Sequence, residues 1–256
     1  MRLAPSEPMF TPEFRERVRE YVLRLARSDQ RIIAGAAIGS DATGGSDRWS
    51  DLDLTFGLQE GILPIEVLNE WTSDLERNFA AIPLFDLPSG TTLYRVFLMP
   101  GNLQVDLSLT PGFVADYGPR FKLLFGTKVN REHSSSRPAR EAIGYAAHHA
   151  VRARYSIERG RLWQAEYWIS GVRDEALALA CIRRGLDASH GRGWDRLPSD
   201  LLDSARDALV RSLDRMELMR ALGCAIALLL REANETSEFP SQLEPCLRSL
   251  IVADEH

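Results

Sequence analysis

Five residues stand in the order that phosphate chemistry requires. Gly39-Ser40 closes the apolar run RIIAGAAI, Asp51 and Asp53 are two apart in DLDLTF, and Asp106 sits in LQVDLSL. Phosphoryl and nucleotidyl transfer needs little covalent help from a protein. It needs phosphates held in line and divalent metal to neutralise charge on the attacking and leaving oxygens. Mg²⁺ takes oxygen ligands and fills its shell from a few carboxylates, phosphate oxygens and water. Carboxylates at i and i+2 of a strand share one face, about 7 Å apart along the chain. On this reading Asp51, Asp53 and Asp106 are metal ligands. Gly39 lets the chain turn tightly, and exposed backbone N–H groups with the Ser40 hydroxyl hold the terminal phosphates. Each piece alone is commonplace, since Asp-x-Asp is usually two solvated carboxylates and Gly-Ser is usually a turn. Their joint order carries the weight.

The elements that must position these residues are legible from periodicity. Thr11-Pro12 starts a helix, with a hydroxyl cap and proline at the first helical position. Phe14, Val18, Val22 and Leu25 then recur at helical spacing. Arg31 to Ile38 reads as a buried strand. Asp51 to Phe56 alternates strictly, so Leu52, Leu54 and Phe56 face a core and Asp51 and Asp53 face away. Pro64 opens a helix through about Phe79. Strands follow at about Ile82–Leu87, Leu93–Met99 and Leu103–Leu109, and alternation in the last turns Asp106 from its apolar face. From Arg137 onward strand signals vanish. Helical segments take over at Arg137–Glu158, Leu162–Arg184, Pro198–Asn234 and Gln242–Val252, after a linker at Arg131–Pro138. The expected fold is α+β: an N-terminal mixed-sheet domain, residues 1–132, and a C-terminal helical bundle, residues 133–256.

GSDATGGSDRWSDLDL followed by LQVDLSL resembles the nucleotidyltransferase superfamily of DNA polymerase β-like fold. Size and a helical second half make the chain most similar to the antibiotic-modifying branch, the aminoglycoside and lincosamide nucleotidyltransferases. The resemblance implies a catalytic first domain and a substrate-binding second one. It implies a nucleoside triphosphate, ATP foremost, bound at Gly39 and Ser40, and Mg²⁺ held by Asp51, Asp53 and Asp106. A nucleoside monophosphate would pass to a hydroxyl of a small molecule. A protein acceptor, as in a toxin–antitoxin pair, and a non-catalytic nucleotide sensor are the competing readings. The three aspartates count against the sensor, because a pure binder need not carry metal ligands.

An attacking hydroxyl must lose a proton, and a carboxylate within hydrogen-bond reach can take it. Asp106 is one candidate, although metal binding would occupy it. The resemblance points to a glutamate of the helical half, and Glu166 in RGRLWQAEYWISGVRDEALAL is the best placed. Trp163, Glu166 and Ser170 share a helix face, with Arg173 and Asp174 adjoining. That face, with Trp163 and Asp174 as its substrate contacts, suits a cationic, hydroxyl-bearing acceptor. The plain alternative is that the aromatics are core and the acid merely solvated. Glu132, Asp174 and Glu175 are reserve bases, and Tyr145, Arg152 and Arg154 are candidates to reach phosphate. Arg95 is a further candidate for the cleft. His148-His149 has no spaced partners and reads as packing or surface.

Composition narrows the classes. Of 256 residues, 45% are hydrophobic and 26% charged, as in ordinary globular chains. The net charge of −5 argues against gripping a nucleic-acid backbone. The most apolar run, Ala221 to Leu230, falls well short of the roughly 18 residues of a membrane span. Three scattered cysteines suggest a reducing compartment and no zinc site. With no secretory pattern at the N-terminus, the cytoplasm is the expected location. A homo-oligomer is compatible with all of this.

Overall fold

The fold is that of a computed structural model, which describes residues 9–116, 118, 120–130, 137–237 and 239–252. The chain divides into two compact units, Met1–His133 and Ser134–His256. The expected linker from Arg131 falls mostly outside the described residues.

The first unit opens with α1 (Pro12–Ser28), whose N-terminus is capped as the sequence leads one to expect. The Phe14 N–H donates to Thr11 Oγ1 at 3.2 Å, and Pro12 takes the first turn. Then follow β1 (Ile32–Ile38), the single-turn helix α2 (Ser40–Thr43), β2 (Leu52–Leu58) and α3 (Pro64–Phe79). A hairpin of β3 (Ile82–Ser89) and β4 (Thr92–Met99) leads to β5 (Leu103–Pro111). Three short strands end the unit: β6 (Val114–Asp116), β7 (Phe121–Gly126) and β8 (Lys128–Asn130). These last three were not expected from periodicity. β7, FKLLFG, keeps no alternation, and it is held by pairing with β1.

The main sheet runs β3-β4-β5-β2-β1-β7, with β2 and β5 parallel and the other pairs antiparallel. It is therefore mixed. One face is covered by helices: Leu52, Leu54 and Phe56 of β2 join Leu103, Val105, Leu107 and Leu109 of β5 in a buried cluster with Val18, Val22, Leu68 and Trp71. The Trp71 and Phe56 rings meet edge-on at 5.2 Å. Since side chains alternate along a strand, Asp53 and Asp106 fall on the other face.

Arg95 belongs to the helix-covered face, which corrects its expected place beside the aspartates. Its guanidinium binds both oxygens of Asp86, at 2.6 and 2.7 Å, and reaches Asn69 and Thr72 of α3. It ties the sheet edge to α3 and holds the Asp86 carboxyl below the usual range.

Among its described residues the second unit has helices and no strand: α4 (Ala139–Glu158), α5 (Leu162–Arg183), α6 (Ser199–Asp207), α7 (Arg215–Ala233) and α8 (Leu243–Ser249). Its separate core draws on Ala142, Ala146, Ala150 and Ala153 of α4, small residues that let α4 lie close against its neighbours. The helical segment expected over Pro198–Asn234 consists of two helices, α6 and α7, with a break between them. The break is satisfied by side chains: Arg220 donates to the carbonyls of Asp207 and Leu209, and Glu217 accepts the Arg211 N–H. Arg154 is buried and spends its guanidinium on Glu158 and the carbonyls of Leu250 and Val252, a structural tie and not a phosphate contact. No described helix is long and apolar enough to cross a membrane.

Candidate metal and nucleotide site

Parallel pairing of β2 with β5 sets Asp53 directly opposite Asp106. Asp51 lies one residue before β2 begins. Asp51, Asp53 and Asp106 each offer one carboxylate oxygen, and these oxygens lie within 4.8 Å of one another. Among the described residues this is the only such group of three or more potential metal-ligating side chains. The set is all-oxygen and compact, which fits a hard divalent cation such as Mg²⁺.

Burial pushes the Asp106 carboxyl up from its ordinary value, and the charge of Asp51 adds to that. Gln104 opposes it, donating from Nε2 to both oxygens at 3.1 and 3.2 Å. A bound cation reverses the first two influences by favouring the ionised form.

The Gly39 turn packs onto this cluster. Gly39 has φ +72° and ψ −138°, a conformation that disfavours any side chain, and a Cβ there would overlap Asp53 Oδ2. The turn must therefore be glycine for two reasons, its backbone angles and the nearness of the carboxylate. The Gly39 N–H is already used, donating to the Arg120 carbonyl at 3.1 Å. Ser40, the first residue of α2, follows directly on this turn. The Ser40 carbonyl closes the short helix by accepting from the Gly45 N–H and the Thr43 hydroxyl.

The sequence missed how the loop between Ser40 and Asp51 is held. Arg15 of α1 approaches Asp41 and donates to the carbonyls of Asp47 and Ser50. No spacing rule links a helix arginine to a loop 26 to 35 residues away, so only the folded chain shows it.

In the second unit, α5 carries Trp163, Glu166 and Ser170 on one face. Trp163 is 77% exposed and Tyr167 66%, so these aromatics are not core. Glu166 Oε1 accepts from the Ser170 hydroxyl at 2.8 Å. Asp174 is held by Arg173 through Oδ1 alone. Glu175 is bound through both oxygens by Arg137, at 2.8 and 3.2 Å, and is thereby a structural acid. Glu132 lies outside the described residues. The His149 ring packs 5.1 Å from the Trp168 ring, over which Arg152 sits, and Tyr145 is covered by Arg137.

No family model matches the chain, and no curated protein matches it. Among solved structures it is similar to an aminoglycoside 6-adenyltransferase from Bacillus subtilis. The two share 12% identity and a TM-score of 0.39, over 92% of this chain and 97% of the other.

Proposed function

We propose that the chain is a Mg²⁺-dependent nucleotidyltransferase that moves AMP from ATP to a hydroxyl of a small molecule, releasing pyrophosphate. One observation carries the reading: three carboxylates converge within 4.8 Å, against a glycine turn that could hold no side chain. Asp51, Asp53 and Asp106 would hold the ion. When bound, the ion neutralises charge on the attacking and leaving oxygens.

The chain's own residues supply the rest. The Ser40 hydroxyl and the first N–H groups of α2 hold the triphosphate next to the Gly39 turn. Glu166 is proposed as the base that takes the proton of the acceptor hydroxyl, and the deprotonated oxygen bonds to the α-phosphorus. The bond to the bridging oxygen breaks, and pyrophosphate leaves. The Ser170 hydrogen bond fixes one Glu166 oxygen and leaves the other for the acceptor. Trp163 and the unshared Oδ2 of Asp174 suit a cationic acceptor of the aminoglycoside or lincosamide class.

The test is pyrophosphate release with ATP, GTP, CTP and UTP against a panel of such acceptors, with mass spectrometry of the products. Asp51→Ala and Asp53→Ala should each lower turnover about a hundredfold or more, because lost ligands cost more than lost outer-shell partners. Glu166→Gln should lower kcat by about 10²-fold or more with little change in KM. Full activity in both aspartate variants would sink the metal assignment.

A further inference from the structure

Asp53 and Asp106 are fixed by the β2–β5 ladder, whose register starts at Leu52. Asp51 lies just outside it. Its position is therefore set by the loop that delivers it, and a side chain from outside that loop ties it down. Arg15 Nη1 donates to the carbonyl of Ser50, the residue immediately before Asp51, and to that of Asp47, both at 3.3 Å. Arg15 Nη2 lies 3.4 Å from Asp41 Oδ1, just after the Gly39-Ser40 turn. A single guanidinium thus reaches both ends of the segment joining the glycine turn to the first carboxylate.

The loop is organised to receive it. Asp47 Oδ1 accepts from the Trp49 N–H at 2.8 Å and from the Ser50 hydroxyl at 3.1 Å, and Ser50 Oγ accepts the Asp47 N–H. These bonds turn the Asp47 and Ser50 carbonyls toward α1. The Asp41 side chain is 9% exposed. Ser46 donates to its Oδ1 at 2.6 Å, while Oδ2 has no hydrogen-bond partner among the described residues. A carboxylate so withdrawn from water depends on its cation. Without Arg15 the loop would have to open to hydrate Asp41, and Ser50 would lose its anchor.

We propose that Arg15 is a positioning residue of the metal site: it clamps loop 41–50 so that Asp51 joins Asp53 and Asp106. This rests on the metal reading given under Proposed function. The test titrates Mn²⁺ into the full chain by electron paramagnetic resonance and follows amide hydrogen exchange, for wild type, Arg15→Met and Arg15→Lys. Arg15→Met should raise the Mn²⁺ half-saturation about tenfold, within the range for outer-shell partners. Its Trp49 and Ser50 amides should exchange faster while β2 and β5 stay protected. Arg15→Lys, which keeps the charge near Asp41 but not the forked donors, should recover part of the affinity.

Wild-type Mn²⁺ affinity in Arg15→Met would overturn the inference and leave the metal reading standing. So would loss of protection across β2 and β5 in both variants, which would make Arg15 a general stability residue. A wild type that binds no Mn²⁺ would overturn the metal reading, and the role of Arg15 with it.

Discussion

At the scale of single residues, three aspartates crowd together, with carboxylate oxygens within 4.8 Å of one another. Asp106 is the strained member, its carboxyl held above its ordinary value by burial first and then by Asp51, against the help of Gln104. An acid raised on folding contributes stability that is complete below its unfolded pKa and lost as pH rises through the folded one. In metal-free protein, Asp106→Asn should therefore be the more stable form at pH 7, and the difference from wild type should vanish as pH falls below the usual aspartate range. Thermal melts with excess chelator, across pH, check this. A variant less stable than wild type at neutral pH would contradict it. Mn²⁺ competes with that same proton, so affinity should start to fall on acidification at a higher pH than an unperturbed aspartate would give.

The elements divide between those that present the site and those that brace it. β1, β2 and β5 present it: the parallel β2–β5 register pairs Asp53 with Asp106, and β1 ends in the Gly39 turn. The β3–β4 hairpin braces it through Arg95, which joins Asp86 of β3 to Asn69 and Thr72 of α3 on the helix-covered face. Arg95→Ala leaves Thr72 and Asn69 without a buried donor and Asp86 without its cation. We expect a loss of about 2–3 kcal/mol in urea unfolding. Mn²⁺ half-saturation should be unchanged, because Arg95 and the carboxylates project from opposite faces of the sheet. A marked rise in half-saturation would place Arg95 back among the site residues.

At the scale of the molecule, the two units have separate cores, one built around Leu54, Phe56 and Trp71 and the other around the alanine-rich α4 with α5 and α7. Leu229 is fully buried in the second. Leu229→Ala should destabilise that unit by about 2–5 kcal/mol. Hydrogen exchange should localise the loss to α4, α5 and α7, with Mn²⁺ affinity kept. Exchange spreading evenly through β2 and β5 as well would contradict separate cores.

How much of this was legible in the sequence depended on how local its cause is. Strand alternation is a property of neighbouring residues, so the faces of Asp53 and Asp106 and the buried partners Leu52, Leu54 and Leu107 could be read directly. Capping is equally local, and Thr11-Pro12 announced α1. The break between α6 and α7 could not be read, because it depends on Arg220 reaching back to carbonyls 11 and 13 residues away. β7 could not either, since its strand form is lent by β1. The place of Arg95 is not legible, because strand alternation assigns a face only once register is known, and a buried arginine on the apolar face needs partners that periodicity does not supply. By itself the sequence determined which residue types are present and in what order: a glycine turn, two aspartates two apart, a third on a later strand. Only the tertiary structure decided that β2 lies beside β5, so that carboxylates 53 residues apart in sequence offer oxygens within 4.8 Å. The same holds for Asp51, which lies outside the β2–β5 ladder and depends on an arginine from α1, since such contacts are made across space and leave no period in the chain.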